Sequence, residues 1–218
     1  MKTDPQNYVV LLHGMGRDKR IMDTMEKSLS MRGYDVYNGD YQSTAFSIEV
    51  LADYVWEHIR ENCPDPSKKL NFVGHSMGAI IIRLIVAKYQ PENMGRVVML
   101  GPPNQGSRLV NFLKRFDFYK RWYGPAGQEL GYDSKVIGQL PPSDYEFGVI
   151  AGDRSIDWLF SWFLLPGKND GKLTVDETKL AGMRDHIILH ATHTFMPSNA
   201  KVIQQTAHFL QHGYFLRK

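Results

Sequence analysis

Continuous apolar runs alternate along this chain with stretches in which apolar residues recur every three or four positions. Tyr8-Val9-Val10-Leu11-Leu12 is the first run, and a strand without polar positions suits a parallel sheet covered on both faces. Residues 19 to 32 place Ile21, Met25 and Leu29 four apart, which predicts a helix closed by Gly33. Tyr34-Asp35-Val36-Tyr37 reads as a second strand. From Ser47 to Asn62, residues Ile48, Leu51, Ala52, Val55 and Ile59 share one helical face, and Pro64 and Pro66 stop the helix. Phe72-Val73 is a short strand, residues 79 to 89 predict a buried helix, and Arg96 to Gly101 forms the next strand. This β-α rhythm calls for a mostly parallel sheet of about six strands with helices on both faces and functional groups at the strands' C-terminal ends.

Residues 102 to 144 interrupt the rhythm. Pro102 to Ser107 is a loop, and Ser107 is placed to cap a short helix carrying Leu109, Val110 and Leu113. Beyond it Phe116, Phe118, Tyr119, Trp122 and Tyr123 interleave with Lys114, Arg115, Lys120 and Arg121. Such interleaving can mark a nucleic-acid or membrane surface, but the run is short, and an insertion packed over a site is the simpler reading. Glu146 to Gly152 restores the sheet. The apolar stretch Ser155 to Pro166 follows, and its Trp158, Phe160 and Trp162 are candidates to line an acyl pocket or form a flap, with a plain cap on the core as the alternative. Lys168 to Gly171 is a turn, His186 to Ala191 the last strand, and Asn199 to His212 a closing amphipathic helix. One domain over residues 1–218, with 102–144 as cap or insertion, accounts for the pattern.

Composition narrows the chemistry. Lys and Arg number 26 against 23 Asp and Glu, a formal charge of +3, too small and scattered to argue for a nucleic-acid partner. Cys63 is the only cysteine, so neither an internal disulfide nor a cysteine-based zinc cage can form. The first seven residues show no signal-peptide pattern, and Trp158 to Leu165, the longest strongly apolar segment, falls far short of the ~20 residues that span a bilayer. A soluble, cytoplasmic protein is the expectation.

The stretch Leu70 to Ala79 carries the chemistry. Phe72-Val73 runs into Gly74-His75-Ser76-Met77-Gly78, followed at once by the apolar segment Ala79 to Ile82. A serine between a strand and a buried helix fits a nucleophile elbow, where a strained turn lifts the hydroxyl above the sheet. Gly74 and Gly78 allow strand and helix to approach closely there. Helix-terminal N–H groups follow the serine, which makes the Met77 amide one candidate oxyanion donor. The Met15 amide, in His13-Gly14-Met15-Gly16 just past the first strand, is the second.

A serine hydroxyl needs a base, and the base an orienting carboxylate. His193, beyond the final strand, is the candidate base. His186 and His190 belong to that strand, and His75 points elsewhere by strand alternation. Three carboxylates fall in the right region: Asp153, Asp170 and Asp176. Loop compactness alone favours Asp153.

The elements His13-Gly14, Gly74 to Gly78, the Gly101-Pro-Pro-Asn-Gln-Gly-Ser107 loop, Asn169-Asp170-Gly171 and His193-Thr194 together resemble the lipase and esterase branch of the α/β-hydrolase family. The likeness is greatest to small serine lipases and the inositol-deacylase-like group, and it covers nearly the whole chain. It implies an α/β-hydrolase fold and places the acid at Asp170, in the order Ser76, Asp170, His193. Asn104 stands where many relatives have histidine, and the insertion after residue 107 is longer than in minimal lipases. The function implied is hydrolysis of carboxylic esters, with a small-molecule ester or lipid as substrate and no metal or cofactor. An acyltransferase, thioesterase or peptidase would use the same three residues, and a binding protein on this fold would lack one of them.

Overall fold

A computed structural model describes residues 7–141, 144–155 and 164–217. Six parallel strands form its sheet: β1 (Tyr8–Leu12), β2 (Asp35–Gly39), β3 (Leu70–His75), β4 (Met94–Leu100), β5 (Phe147–Gly152) and β6 (Asp185–Leu189). Their spatial order is β2-β1-β3-β4-β5-β6. The expected sheet is therefore present, wholly parallel.

Strand alternation sends the apolar runs to two cores. Val10, Leu12, Phe72, Val97, Met99 and Phe147 pack on one face beneath α2 (Ile48–Asn62) and α3 (Met77–Tyr89). On the other face Val9, Leu11, Val73, Val98 and Ile150 meet α1 (Asp23–Ser30) and the closing helix Ala200–His212. Capping fixes where helices begin. Ser47 accepts a hydrogen bond from the Val50 N–H, and Asn199 accepts two, from Lys201 and Val202. The single helix expected over 19–32 is instead a 3-10 turn, Lys19–Met22, which Asp18 caps through the Arg20 N–H, followed by α1.

Three helices occupy the insertion: α4 (Arg108–Leu113), α5 (Asp117–Gln128) and α6 (Lys135–Gln139). Ser107 caps α4 as its sequence suggests, accepting from the Val110 N–H. Pro125 interrupts α5, which bends at Gly124. A short helix α7 (Val175–Thr178) precedes β6, so the closing helix is α8. Trp158, Phe160 and Trp162 lie outside the described residues. Among the described residues no helix is long and apolar enough to cross a membrane.

Candidate active site

Strand order reverses between β1 and β3, and their helices leave towards opposite faces of the sheet, opening a crevice at the C-terminal edge. Two of the predicted loops start there, His13–Arg17 from β1 and Ser76 from β3.

Ser76 has φ 54° and ψ −120°, a region that non-glycine residues avoid at a cost of about 1–3 kcal/mol. Its N–H donates to the Leu100 carbonyl at 2.9 Å, which pins the turn to β4. The two flanking glycines are steric requirements. A β-carbon on Gly74 would lie 2.6 Å from the Ala79 backbone, and one on Gly78 would lie 2.5 Å from the Leu12 carbonyl oxygen. Met77, the first residue of α3, has no acceptor for its N–H within the helix, and its side chain is buried in the core.

His193 lies in the loop after β6, buried to 6% exposure. Its Nδ1 faces Asp170 Oδ2 at 2.7 Å, and a carboxylate oxygen can only accept there, so Nδ1 is the donor. Asp170 is 2% exposed, and its other oxygen accepts from the Lys172 and Leu173 N–H groups at 2.9 and 2.8 Å. The two residues are joined a second time through the backbone, the His193 N–H donating to the Asp170 carbonyl. Gly101, at φ 51°, lets β4 end against the pair, since a β-carbon there would lie 3.1 Å from both Asp170 Oδ2 and His193 Nδ1.

The other candidate acids are engaged elsewhere. Asp153 accepts from His190 Nδ1 at 3.1 Å, and exposed Asp176 pairs with Lys179. His190 lies past the end of β6 rather than within it, and half-buried His186 lies on the strand near Thr178.

His75 departs from expectation. It does not point elsewhere: its Nε2 donates to the His193 carbonyl at 2.9 Å, and the two rings lie 4.9 Å apart. Alternation says which face a strand residue takes, but not that the loop after β6 crosses over it. Burial, and then the neighbouring His193, push the His75 pKa well below the usual range, so it is neutral, with Nδ1 buried and bare. His13 is likewise held neutral by burial. It stacks on Tyr41 at 4.1 Å, and the Tyr41 hydroxyl donates to the His13 carbonyl, fixing the loop that carries Met15.

Ser76, His75 and His193 share one cavity of about 200 Å³. Met15 borders it from the β1 side, while Leu109, Val110, Tyr119 and Leu130 roof it from the insertion. Arg17 and Lys172 also reach its wall. No sequence signal marked those two, or Glu177, whose buried carboxylate ties the Asp170 loop to the roof by accepting from the Arg108 N–H and the Tyr132 hydroxyl. Among the described residues no group of three or more His, Cys, Asp or Glu is arranged to hold a metal ion.

Comparison with known structures finds the same fold in proteins described as lipases and esterases. The mature Bacillus licheniformis lipase BlEst2 superposes with a TM-score of 0.71 at 16% identity, covering 96% of this chain and 93% of that one. Phospholipase PlaB from Legionella pneumophila gives 0.79 at 16% identity over 97% of this chain, which spans 60% of that protein's length. The metagenomic carboxyl esterase MGS0156 gives 0.70 at 15% identity, over 88% of this chain and 65% of that one. No curated protein matches in sequence. At such identities the likeness establishes the fold, that of the α/β-hydrolases. The family model for palmitoyl protein thioesterase matches residues 8–139, from β1 through the elbow and the insertion to the end of α6, and the chain belongs to that family.

Proposed function

We propose that this protein is a serine hydrolase that cleaves carboxylic esters, with Ser76 as nucleophile, His193 as general base and Asp170 as its orienting acid. One observation carries the reading: a buried Asp170–His193 pair, bonded at 2.7 Å, opens on the same cavity as a serine held at positive φ. His193 Nε2 takes the Ser76 proton as Oγ bonds to the acyl carbon. The tetrahedral intermediate then collapses, the acyl–oxygen bond breaks, and the same proton passes to the leaving oxygen. Water, activated by His193, splits the acyl-enzyme and restores the serine. The Met77 and Met15 amides serve the oxyanion, each such donor typically contributing about 3 kcal/mol to the transition state.

The insertion acts as a cap on one domain, its apolar underside receiving the acyl chain of a small ester or lipid. A cavity of about 200 Å³ is smaller than the ~300–1,000 Å³ of pockets that enclose a whole drug-sized ligand, so it suits one acyl chain rather than an entire lipid. Phe118 and Trp122, exposed on the roof, offer a surface for contact with lipid. A thioester would enter the same acyl-enzyme route with sulfur as leaving atom, a second reading that the family match favours.

A fluorophosphonate probe should label the protein at Ser76, and Ser76→Ala should abolish both labelling and hydrolysis of nitrophenyl esters. Asp170→Asn should lower kcat by about 10⁴-fold, as loss of the orienting acid does in related triads, while Asp153→Asn should leave it near wild type. Labelling that persists in Ser76→Ala would remove the nucleophile from the scheme. Acyl thioesters run beside oxygen esters of equal chain length decide between the two leaving atoms.

A further inference from the structure

Resting on that reaction, we infer that the leaving group of the substrate carries a phosphate or carboxylate, held by Arg17 and Lys172 where the acyl cavity opens into a polar groove. The groove is a separate concavity of about 610 Å³ beside the cavity, lined mainly by polar side chains, among them Arg17, Asp18, Arg20 and Thr194, with Ile21 and Phe195 as its apolar members. Arg17 and Thr194 border both spaces, so the two are joined across them. Thr194 follows the general base directly in sequence. The leaving oxygen must lie within reach of His193 Nε2 to receive its proton, and the passage beside Thr194 carries the rest of the leaving group outwards. An apolar chain inside and a polar group outside then match the character of the two walls.

Charge selects the class of that polar group. Arg20 is neutralised in the groove by a two-point pair with Asp18, at 3.0 and 2.6 Å. Arg17 has no such partner: among the described residues its guanidinium makes neither an ion pair nor a hydrogen bond, and the same holds for the Lys172 ammonium. Asp170, two residues from Lys172 in the chain, has its oxygens already taken by His193 and two backbone N–H groups. Although Lys172 reaches solvent at the mouth, the enclosing walls, and then the Arg17 charge, lower its pKa, with Asp170 opposing. Two cations approach one another without a dedicated anion between them. A planar fork and a mobile ammonium on one opening suit a phosphate or a carboxylate.

The test uses Ser76→Ala protein, so that binding is read apart from turnover. Its affinity for 4-(hexanoyloxy)phenyl phosphate is compared with that for 4-nitrophenyl hexanoate, which has the same acyl chain and no charge. The phosphate ester should bind at least tenfold tighter. Arg17→Gln or Lys172→Gln, introduced into the same background, should remove most of that difference, and Arg17→Lys should restore part of it. Raising the salt to about 0.5 M should shrink the preference as the charges are screened. Inorganic phosphate that competes with the ester identifies a free anion as sufficient. Phosphatidylglycerol vesicles that compete, where phosphatidylcholine vesicles do not, identify an anionic headgroup. Equal affinity for the two esters, or a preference untouched in both glutamine variants, would overturn the inference. Turnover of the two esters by the unaltered chain is a separate readout, and its absence would sink the hydrolase reading while leaving the binding result to stand.

Discussion

Ser76 holds a conformation its side chain disfavours because everything around it is already fixed: its N–H is bound to Leu100, and the glycines on either side leave no alternative path for strand and helix. Pattern reading reaches that residue readily, since Gly-x-Ser-x-Gly between an apolar strand and an apolar helix is a local signal. Asp170 is harder. Asp153 and Asp176 satisfy the same requirement of position after β5, and only a tertiary fact separates them, namely that Asp153 is engaged by His190 and Asp176 by Lys179. Family resemblance points to Asp170, whereas loop compactness alone favours Asp153. His75 shows the opposite failure, a local rule applied where a distant loop decides. Cys63 offers a test of local environment. Burial, with the Asp35 carboxylate adding to it, pushes its thiol up to about 12, so the reactive thiolate is scarce near neutrality. Iodoacetamide at about pH 8 should modify the native protein slowly and the urea-unfolded protein fast, as mass spectrometry would show; equal rates would contradict this burial.

Elements with strong apolar periodicity are legible to within a few residues, and one cap, Ser107, is legible with them, whereas the capping by Ser47 and Asn199 is seen in the structure. What could not be read was how the insertion attaches. Its helices have weak patterns, and α5 carries Gly124 and Pro125 in its middle, so nothing local announces that Val110, Tyr119 and Leu130 turn inward over the site. Glu177 makes that attachment. One of its oxygens accepts from the Arg108 N–H at 2.6 Å and the Tyr132 hydroxyl at 2.8 Å, the other from the Thr174 N–H and hydroxyl at 2.6 and 2.8 Å. An amide nitrogen in place of either oxygen would face two donors. Glu177→Gln should therefore cost about 3 kcal/mol in urea unfolding and open the 108–132 segment to limited proteolysis, since unsatisfied buried groups cost ~1–3 kcal/mol each. Unchanged stability and cleavage would show that the roof is held some other way.

On the scale of the whole molecule, the candidate site draws on strands spread across the sheet. β1 supplies the Met15 loop, β3 the serine, β4 the Gly101 turn, and the segments around β6 the acid and the base. Sheet class and the C-terminal edge follow from the alternation of runs and helices, because a parallel sheet leaves that edge as the place where loops converge. Partners separated by 118 positions, as His75 and His193 are, lie beyond any periodicity. β1, β3 and β4 are buried between the two cores, so none of the three can part from the sheet without exposing both. Esterase activity and tryptophan fluorescence, followed together through a urea titration, should accordingly fall in one transition; activity lost well before the fluorescence change would show the loops coming apart first.

His193 is held through its side chain, its own N–H and its own carbonyl, to Asp170 twice and to His75 once. A candidate base moored in three ways has little room to drift to a half-useful position. Molecules in a population damaged by heat or denaturant should thus divide into those that turn over at full speed and those that are silent, with few sluggish ones between.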